Sequence, residues 1–288
     1  MRLLLPCLAA LAVLVGCGGG GGASSTVTST VTSTPTPTPT PAPGWVLTWS
    51  DDFGGTDGTR PDPTKWTCEL GGDGWGNGEL ESYTSLAQNA QIQGGNLVIT
   101  ALKETYTGAD GITCGYTSAR LKTQGLFSQT CGRFEARIQI PRGQGLWPAF
   151  WMLGDTFASA GWPACGEIDI MENIGSQPAT VYGSIHGPGF TGGSLSTSHA
   201  LPSGDLADAF HVYAVEWSSG LIKMYLDDTL YATYTPADLP AGGQWVFDQP
   251  FFLILNVAVG GSWPGAPDST TTFPQRMLVN YVRVYTYQ

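Results

Sequence analysis

The sequence predicts an all-β domain, a jelly-roll β-sandwich of two stacked antiparallel sheets, and three observations carry that expectation. Segments alternating apolar and polar residues with a period of two recur along the chain, glycine-rich turns rather than helical repeats separate them, and no repeat of propeller length is present. Composition agrees, since 40 Gly, 20 Pro, 10 Trp, 11 Tyr and 11 Phe against only 12% charged residues suit many short strands joined by tight turns.

The clearest strand runs from Gly132 to Pro141, where Phe134, Ala136, Ile138 and Ile140 face one way and Arg133, Glu135, Arg137 and Gln139 the other. Asn96 to Ala101, His211 to Trp217, Leu221 to Leu226, Phe251 to Val259 and Met277 to Tyr285 read similarly, with Asp227-Asp228 as a hairpin turn. Such half-apolar strands bury one face against a second sheet.

Three regions follow from composition. Residues 1–16 read as an export signal: Arg2 precedes an apolar run, Leu3 to Val15, too short to span a bilayer. The run ends in Leu14-Val15-Gly16-Cys17, which resembles a bacterial lipobox and implies lipidation of Cys17, hence a membrane anchor facing the periplasm or the exterior. An ordinary secretory signal is the alternative, and both export the protein. Residues 17–43, ending in the Pro/Thr stretch Pro35 to Pro43, lack the apolar surface to fold and read as a tether. Extended, that stretch adds roughly 28 Å of reach at about 3.1 Å per residue. Residues 44–288 are the folded domain, expected to act as a monomer.

A formal charge of −11 disfavours nucleic acid or an anionic membrane surface as partner, because no Lys/Arg cluster is present to neutralise phosphates. Cys68, Cys114, Cys131 and Cys165 remain in the domain, and in an oxidising compartment they predict two disulfides with the pairing left open. With three histidines and no metal-type spacing, cysteine nucleophile and zinc chemistry are disfavoured.

Functional chemistry concentrates in Gly166-Glu-Ile-Asp-Ile-Met-Glu-Asn173, a β-branched stretch that reads as a strand. Glu167 and Asp169 share a face, whereas the odd offset to Glu172 puts it on the other side unless one residue bulges out near Ile170 or Met171. A bulge is therefore expected there. At about 3.3 Å per residue the two glutamates stand roughly 13–16 Å apart at the backbone, so their side chains lean together across Asp169. Three carboxylates in a row repel one another, which is costly unless protons are shared or a substrate uses them. The functional reading is a pair of acids at a glycosidic bond; the structural one is an acidic solvent-facing strand or a calcium site.

The surrounding motifs resemble glycoside hydrolase family 16, in particular its laminarinase-type endo-β-1,3-glucanases. They are Trp49-Ser-Asp-Asp-Phe53, Gly74-Trp-Gly-Asn-Gly-Glu-Leu80, Gly132-Arg-Phe-Glu-Ala-Arg137, Gly145-Leu-Trp-Pro-Ala-Phe-Trp-Met-Leu-Gly154, Gly161-Trp-Pro-Ala-Cys165 and Tyr281-Val-Arg-Val-Tyr285. The extra Met in Glu-Ile-Asp-Ile-Met-Glu resembles the bulged form found in β-1,3-glucanases and several galactan hydrolases. The resemblance implies a jelly roll with an open concave cleft, retaining stereochemistry, Glu167 as nucleophile, Glu172 as general acid/base and Asp169 holding their proton balance.

Trp147 and Trp151, four apart in an extended segment, share a face and are assigned to the cleft floor, where indole packs on sugar C–H surface. By resemblance Asn77, Arg120 and His186 join them as partners for sugar hydroxyls. Trp49, Trp66 and Trp245 are assigned to the core, Trp162 and Trp263 to neither. His211 reads as structural and His199 as exposed. Family members hold a structural calcium near an acidic residue before Phe53 and an Asp in the last strand; Asp52 and Asn280 stand there, one shorter and one uncharged, which weakens such a site. No cofactor is needed for two-carboxylate chemistry. The leading function is endo-hydrolysis of β-1,3-glucan. Same-family action on mixed-linkage glucan or a galactan is the nearest alternative, although Trp-Pro-Ala-Phe-Trp favours glucan. Transglycosylation shares the covalent intermediate and is not separable here. A non-catalytic glucan-recognition protein is the reading from another class, disfavoured because both glutamates are present.

Overall fold

The computed structural model describes residues 44–288, so the signal, Cys17 and the tether lie outside the described residues. In chain order the strands are β1 (Trp45–Asp51), β2 (Thr67–Glu69), β3 (Glu81–Tyr83), β4 (Ala90–Gln93), β5 (Asn96–Thr107), β6 (Thr113–Ser118), β7 (Arg120–Lys122), β8 (Gly132–Gln139) and β9 (Leu146–Gly154). They continue as β10 (Glu167–Glu172), β11 (Thr180–His186), β12 (Ser196–Ala200), β13 (His211–Ser218), β14 (Leu221–Leu226), β15 (Thr229–Tyr234), β16 (Phe251–Val259) and β17 (Gln275–Tyr287).

Two sheets result. The larger, of ten strands, has the order β15-β14-β13-β8-β17-β5-β6-β3, with β1 also on β17 and β4 on β5. The smaller has seven, ordered β12-β11-β10-β9-β16-β7-β2. Pairing is antiparallel except between β3 and β6. Strands distant in sequence lie side by side, as β8 with β17 and β9 with β16. This is the expected all-β sandwich.

Period-two alternation decides which side chains enter the core. Phe134, Ala136 and Ile138 from β8, Tyr213, Val215 and Trp217 from β13, and Ile222, Met224 and Leu226 from β14 meet Leu146, Phe150 and Met152 from β9 and the odd-numbered residues of β16 in one buried cluster. Each such side chain contributes about 1.5–3 kcal/mol by leaving water. Trp49 and Trp66 pack edge-on at 5.7 Å, and Trp245 meets Phe247 at 4.8 Å, so the three tryptophans assigned to the core pack against it. The Asp227-Asp228 turn joins β14 to β15, with Asp227 at φ 47°. Its carboxylate also accepts from the Val212 N–H and pairs with His211, which is structural as read.

Two expectations need correction. Cys68, Cys114, Cys131 and Cys165 are all free thiols rather than two disulfides. Their surroundings differ: Cys68 and Cys131 lean on the main core, Cys165 sits in a separate cluster with Leu153, Phe252 and Ile254, and Cys114 donates to the Gly72 carbonyl. Burial raises all four pKa values, Cys165 to about 11, so the thiols stay protonated and behave as small apolar side chains. His199 is half-buried on β12, its ring 6.0 Å from that of Tyr231, rather than exposed, because the Ser/Thr-rich stretch around it forms a strand.

Candidate active site

The seven-stranded sheet has one face in the core and the other turned outward, and the second face gathers the predicted residues. A tight turn delivers the first of them. Cys165 N–H bonds to Gly161 O, Gly166 N–H bonds to Pro163 O, and Gly154 N–H at the end of β9 bonds to Gly166 O. Gly154 is needed there, since a Cβ would stand 2.0 Å from the Cys165 carbonyl oxygen. Glu167 follows directly and opens β10.

Along β10 the expected bulge is present. Against β9, Asp169 faces Trp151 and Met171 faces Phe150, which leaves Ile170 without a partner; against β11 the register also shifts between Asp169 and Glu172. Ile168, Ile170 and Met171 therefore all enter the core, while Glu167, Asp169 and Glu172 share the outward face. Each acid has its own partner. Trp162 Nε1 donates to Glu167 Oε2 at 2.6 Å, His186 Nε2 lies 3.0 Å from Asp169 Oδ2, and Trp147 Nε1 donates to Glu172 Oε1 at 3.0 Å.

Crowding shows in the proton affinities. Burial first, then the negative charge of Asp169, raises Glu167 to about 8. Burial raises Asp169, only 2% exposed, to about 7, against the opposing effect of its hydrogen bond with Glu167. Glu172 is pushed well above the carboxylate range by burial and then by both neighbouring acids. Near neutral pH the three groups thus carry fewer than three charges and share protons. Glu167, Asp169 and His186 each offer one atom within 4.8 Å of the others, a spacing that also fits a metal ion.

Every residue assigned to the substrate reaches this face. Trp147 meets Trp263 edge-on at 5.3 Å, and Trp263 in turn meets Tyr182 at 5.0 Å. Arg120 lies between the rings of Trp75 (4.8 Å) and Trp151 (4.7 Å), its Nε 2.5 Å from Glu69. Trp162, 50% exposed, bonds to Glu167, and Trp263, 39% exposed, packs against Trp147 and Tyr182, which places on this face the two tryptophans left unassigned.

A fourth carboxyl group, that of Glu79, organises the floor and was missed in the sequence. Trp151 Nε1 donates to Asn256 Oδ1 (2.7 Å), Asn256 Nδ2 to Tyr83 Oη (3.0 Å), and the Tyr83 hydroxyl to Glu79 Oε2 (3.0 Å). Asn77 Nδ2 donates to Glu79 Oε1 at 3.0 Å. All donors thus point toward Glu79, a direction in which hydrogen bonds reinforce one another. The available signals were Glu79 itself, two residues after Asn77, and Asn256, the single polar residue in the apolar run Phe251 to Val259.

The calcium expectation does not fit the residues as placed. Both Nε and Nη2 of Arg283 bond to Asp52 Oδ1, at 3.0 and 2.7 Å, while Asn280 Oδ1 accepts from Arg137 and its Nδ2 donates to Asn96. The one acidic candidate, Asp52, is thus already paired with a guanidinium.

Glu81 yields a test. It is fully buried, accepts from the Val259 N–H at 2.7 Å, and is pushed well above its ordinary value by burial and then by the charge of Glu79, to which it hydrogen-bonds. Because its pKa is higher folded than unfolded, the stability it contributes is present in acid and lost as pH rises through the folded value. Glu81→Gln keeps the acceptor and removes the titration. Thermal unfolding is expected to match wild type near about pH 4 and to exceed it at about pH 9; an equal pH dependence in both proteins would show that folding leaves the Glu81 pKa unchanged.

The family model described as "Glycosyl hydrolases family 16" matches residues 79–283, more than half of the chain. A β-glucanase of Rhodothermus marinus is 44% identical over 256 residues, 84% of this chain and 85% of its own. The laminarinase catalytic domain of Thermotoga maritima superposes with a TM-score of 0.80 at 47% identity, covering 85% of this chain and 99% of that one. The endo-β-1,3-glucanase of Pyrococcus furiosus gives 0.81 at 47% identity, over 85% and 95%. Similar in sequence and in fold over nearly all of its described length, the chain belongs to glycosyl hydrolases family 16 and is a glycoside hydrolase.

Proposed function

We propose that this protein is a retaining endo-β-1,3-glucanase in which Glu167 is the nucleophile and Glu172 the general acid/base. The observation that carries the reading is the bulged β10, which sets Glu167, Asp169 and Glu172 on one face amid half-exposed indoles. In the first step the Glu167 carboxylate bonds to the anomeric carbon, the glycosidic C–O bond breaks, and its electron pair leaves with the oxygen, which takes the proton of Glu172. In the second, the Glu172 carboxylate takes a proton from water, whose oxygen bonds to the anomeric carbon and displaces Glu167. Asp169 takes the shared proton as Glu167 becomes the attacking carboxylate, and His186 lies against Asp169 and holds it in place. Trp162 donates to Glu167 and stabilises its ionised form.

Trp147, Trp151, Trp162 and Trp263 present flat apolar surfaces to sugar rings, and Asn77 and Arg120 present donors to their hydroxyls. Laminarinase and β-1,3-glucanase relatives support β-1,3-glucan over mixed-linkage glucan or a galactan as substrate. The reading includes action as a monomer, and also export and a lipid anchor on Cys17, these two supported by the lipobox-like Leu14-Val15-Gly16-Cys17 and the Pro-rich tether. Cys17→Ser is expected to move glucanase activity from the membrane to the soluble fraction of expressing cells; retention in membranes would remove the anchor.

Glu167→Gln and Glu172→Gln are each expected to fold and to lose on the order of 10²–10⁴ in turnover on linear β-1,3-glucan. Proton NMR of the wild-type digest should show β-anomer oligosaccharides first. Inverted products, or cleavage of mixed-linkage glucan or agarose alone, would replace the stereochemistry or the substrate.

Asp169→Asn tests proton sharing. The charge of Asp169 raises Glu172, so its removal lets Glu172 ionise at lower pH, and the alkaline limb of kcat/KM should move downward. A limb that stays in place would exclude electrostatic coupling between the two.

A further inference from the structure

We infer that Tyr231, on the edge strand of the opposite sheet, is a positioning residue for the reaction: its hydroxyl fixes the bulge in β10 and so the placement of Glu172 against Asp169 and Glu167. The inference rests on the functional reading above. Tyr231 Oη donates to the Ile170 carbonyl oxygen at 3.1 Å, across the sandwich and 61 residues along the chain. Ile170 has no opposed residue in either ladder of β10. A bulge disrupts the ladder locally, and a backbone carbonyl buried there needs a partner from elsewhere. Tyr231 supplies it at the point where the strand changes face parity.

Room for that hydroxyl is built into the neighbouring strand. Gly183 on β11 lies between Tyr182, which opposes Glu172, and Ser184, which opposes Asp169. A Cβ at Gly183 would stand 2.5 Å from Tyr231 Oη and 2.4 Å from Met224 Sδ. The glycine therefore serves the sheet-to-sheet approach. Burial raises the Tyr231 phenol well above its ordinary range, which keeps the O–H a donor.

Tyr234 provides the comparison. Three residues further along β15 and also reaching across the sandwich, its hydroxyl donates to the Gly183 carbonyl at 2.8 Å and lies 2.9 Å from Thr197 Oγ1. It makes the same kind of intersheet bond without touching the bulge. Loss of its hydroxyl costs stability of the same order but leaves the parity of β10 alone.

The experiment compares Tyr231→Phe, Tyr234→Phe and wild type by kcat and KM on linear β-1,3-glucan and on a 2,4-dinitrophenyl β-laminaribioside, whose leaving group needs no protonation. Glu172 acts as acid in forming the glycosyl-enzyme and as base in its hydrolysis, so the first step is isolated by kcat/KM, which a misplaced acid lowers only on the substrate that needs the proton. Tyr231→Phe should lose roughly 10- to 100-fold in kcat/KM on glucan and keep kcat/KM on the dinitrophenyl substrate; Tyr234→Phe should keep kcat/KM on both. Should Tyr231→Phe fail to fold, Gly183→Ala, which presses on the same hydroxyl, is expected to give the same split. A wild-type kcat/KM on glucan in the Tyr231 variant, equal losses of kcat/KM on both substrates, or equal losses in the two tyrosine variants would each overturn the inference. Wild-type inactivity on both substrates would instead overturn the functional reading, and this inference with it.

Discussion

The parity of one strand governs this molecule. On a regular β-strand, residues an odd number apart point to opposite sides, and Asp169 and Glu172 are separated by an odd offset. The bulge at Ile170 reconciles two demands that regular geometry opposes. It sends Ile170 and Met171 into the core together and returns Glu172 to the face of Glu167 and Asp169. Each buried apolar side chain contributes about 1.5–3 kcal/mol, which offsets the hydrogen bonds lost at the irregularity. The same defect therefore serves stability on one side of β10 and chemistry on the other.

What that placement costs is electrostatic. Burial raises the proton affinity of all three acids, and the charge of Asp169 raises Glu167 and Glu172 further. Indole donors limit the cost without neutralising the groups: Trp162 reaches Glu167 and Trp147 reaches Glu172. Glu79 and Glu81 repeat the device under the floor, where a buried protonated carboxyl stands beside an acceptor of several hydrogen bonds. In both places a shared proton replaces a countercation. Such an arrangement suits a site that must give and take protons at fixed atoms.

Much of this was legible because it is local. Alternation located β8, β13, β14, β16 and β17, the spacing of the acids required a bulge, and the four-residue spacing of Trp147 and Trp151 placed them on one face. What escaped depends on pairs far apart in the chain. Asn256 bonds Tyr83 across 173 residues, so neither announced a role in the floor. Trp162 looked ambiguous because its partner Glu167 is reached only through the turn that Gly154 permits. The cysteines show the same limit in reverse. Their number suggested two disulfides, yet pairing needs Cβ atoms close together and aimed at each other, which no count reveals.

The two kinds of contact divide the labour of building the site. Ladder hydrogen bonds within the seven-stranded sheet decide which face each side chain takes, and they act on whole strands at once. Cross-sheet hydroxyls act on single carbonyls: Tyr231 on Ile170, Tyr234 on Gly183. Ladders alone leave a bulge free to slide by a residue, because Ile170 and Met171 are both apolar and either satisfies the core. A donor from the opposite sheet removes that degeneracy, since it meets one carbonyl and not its neighbour. Apolar burial favours a bulge somewhere in this strand, and hydrogen bonding from β15 selects where, which is why an edge strand remote in sequence bears on the geometry of two catalytic acids.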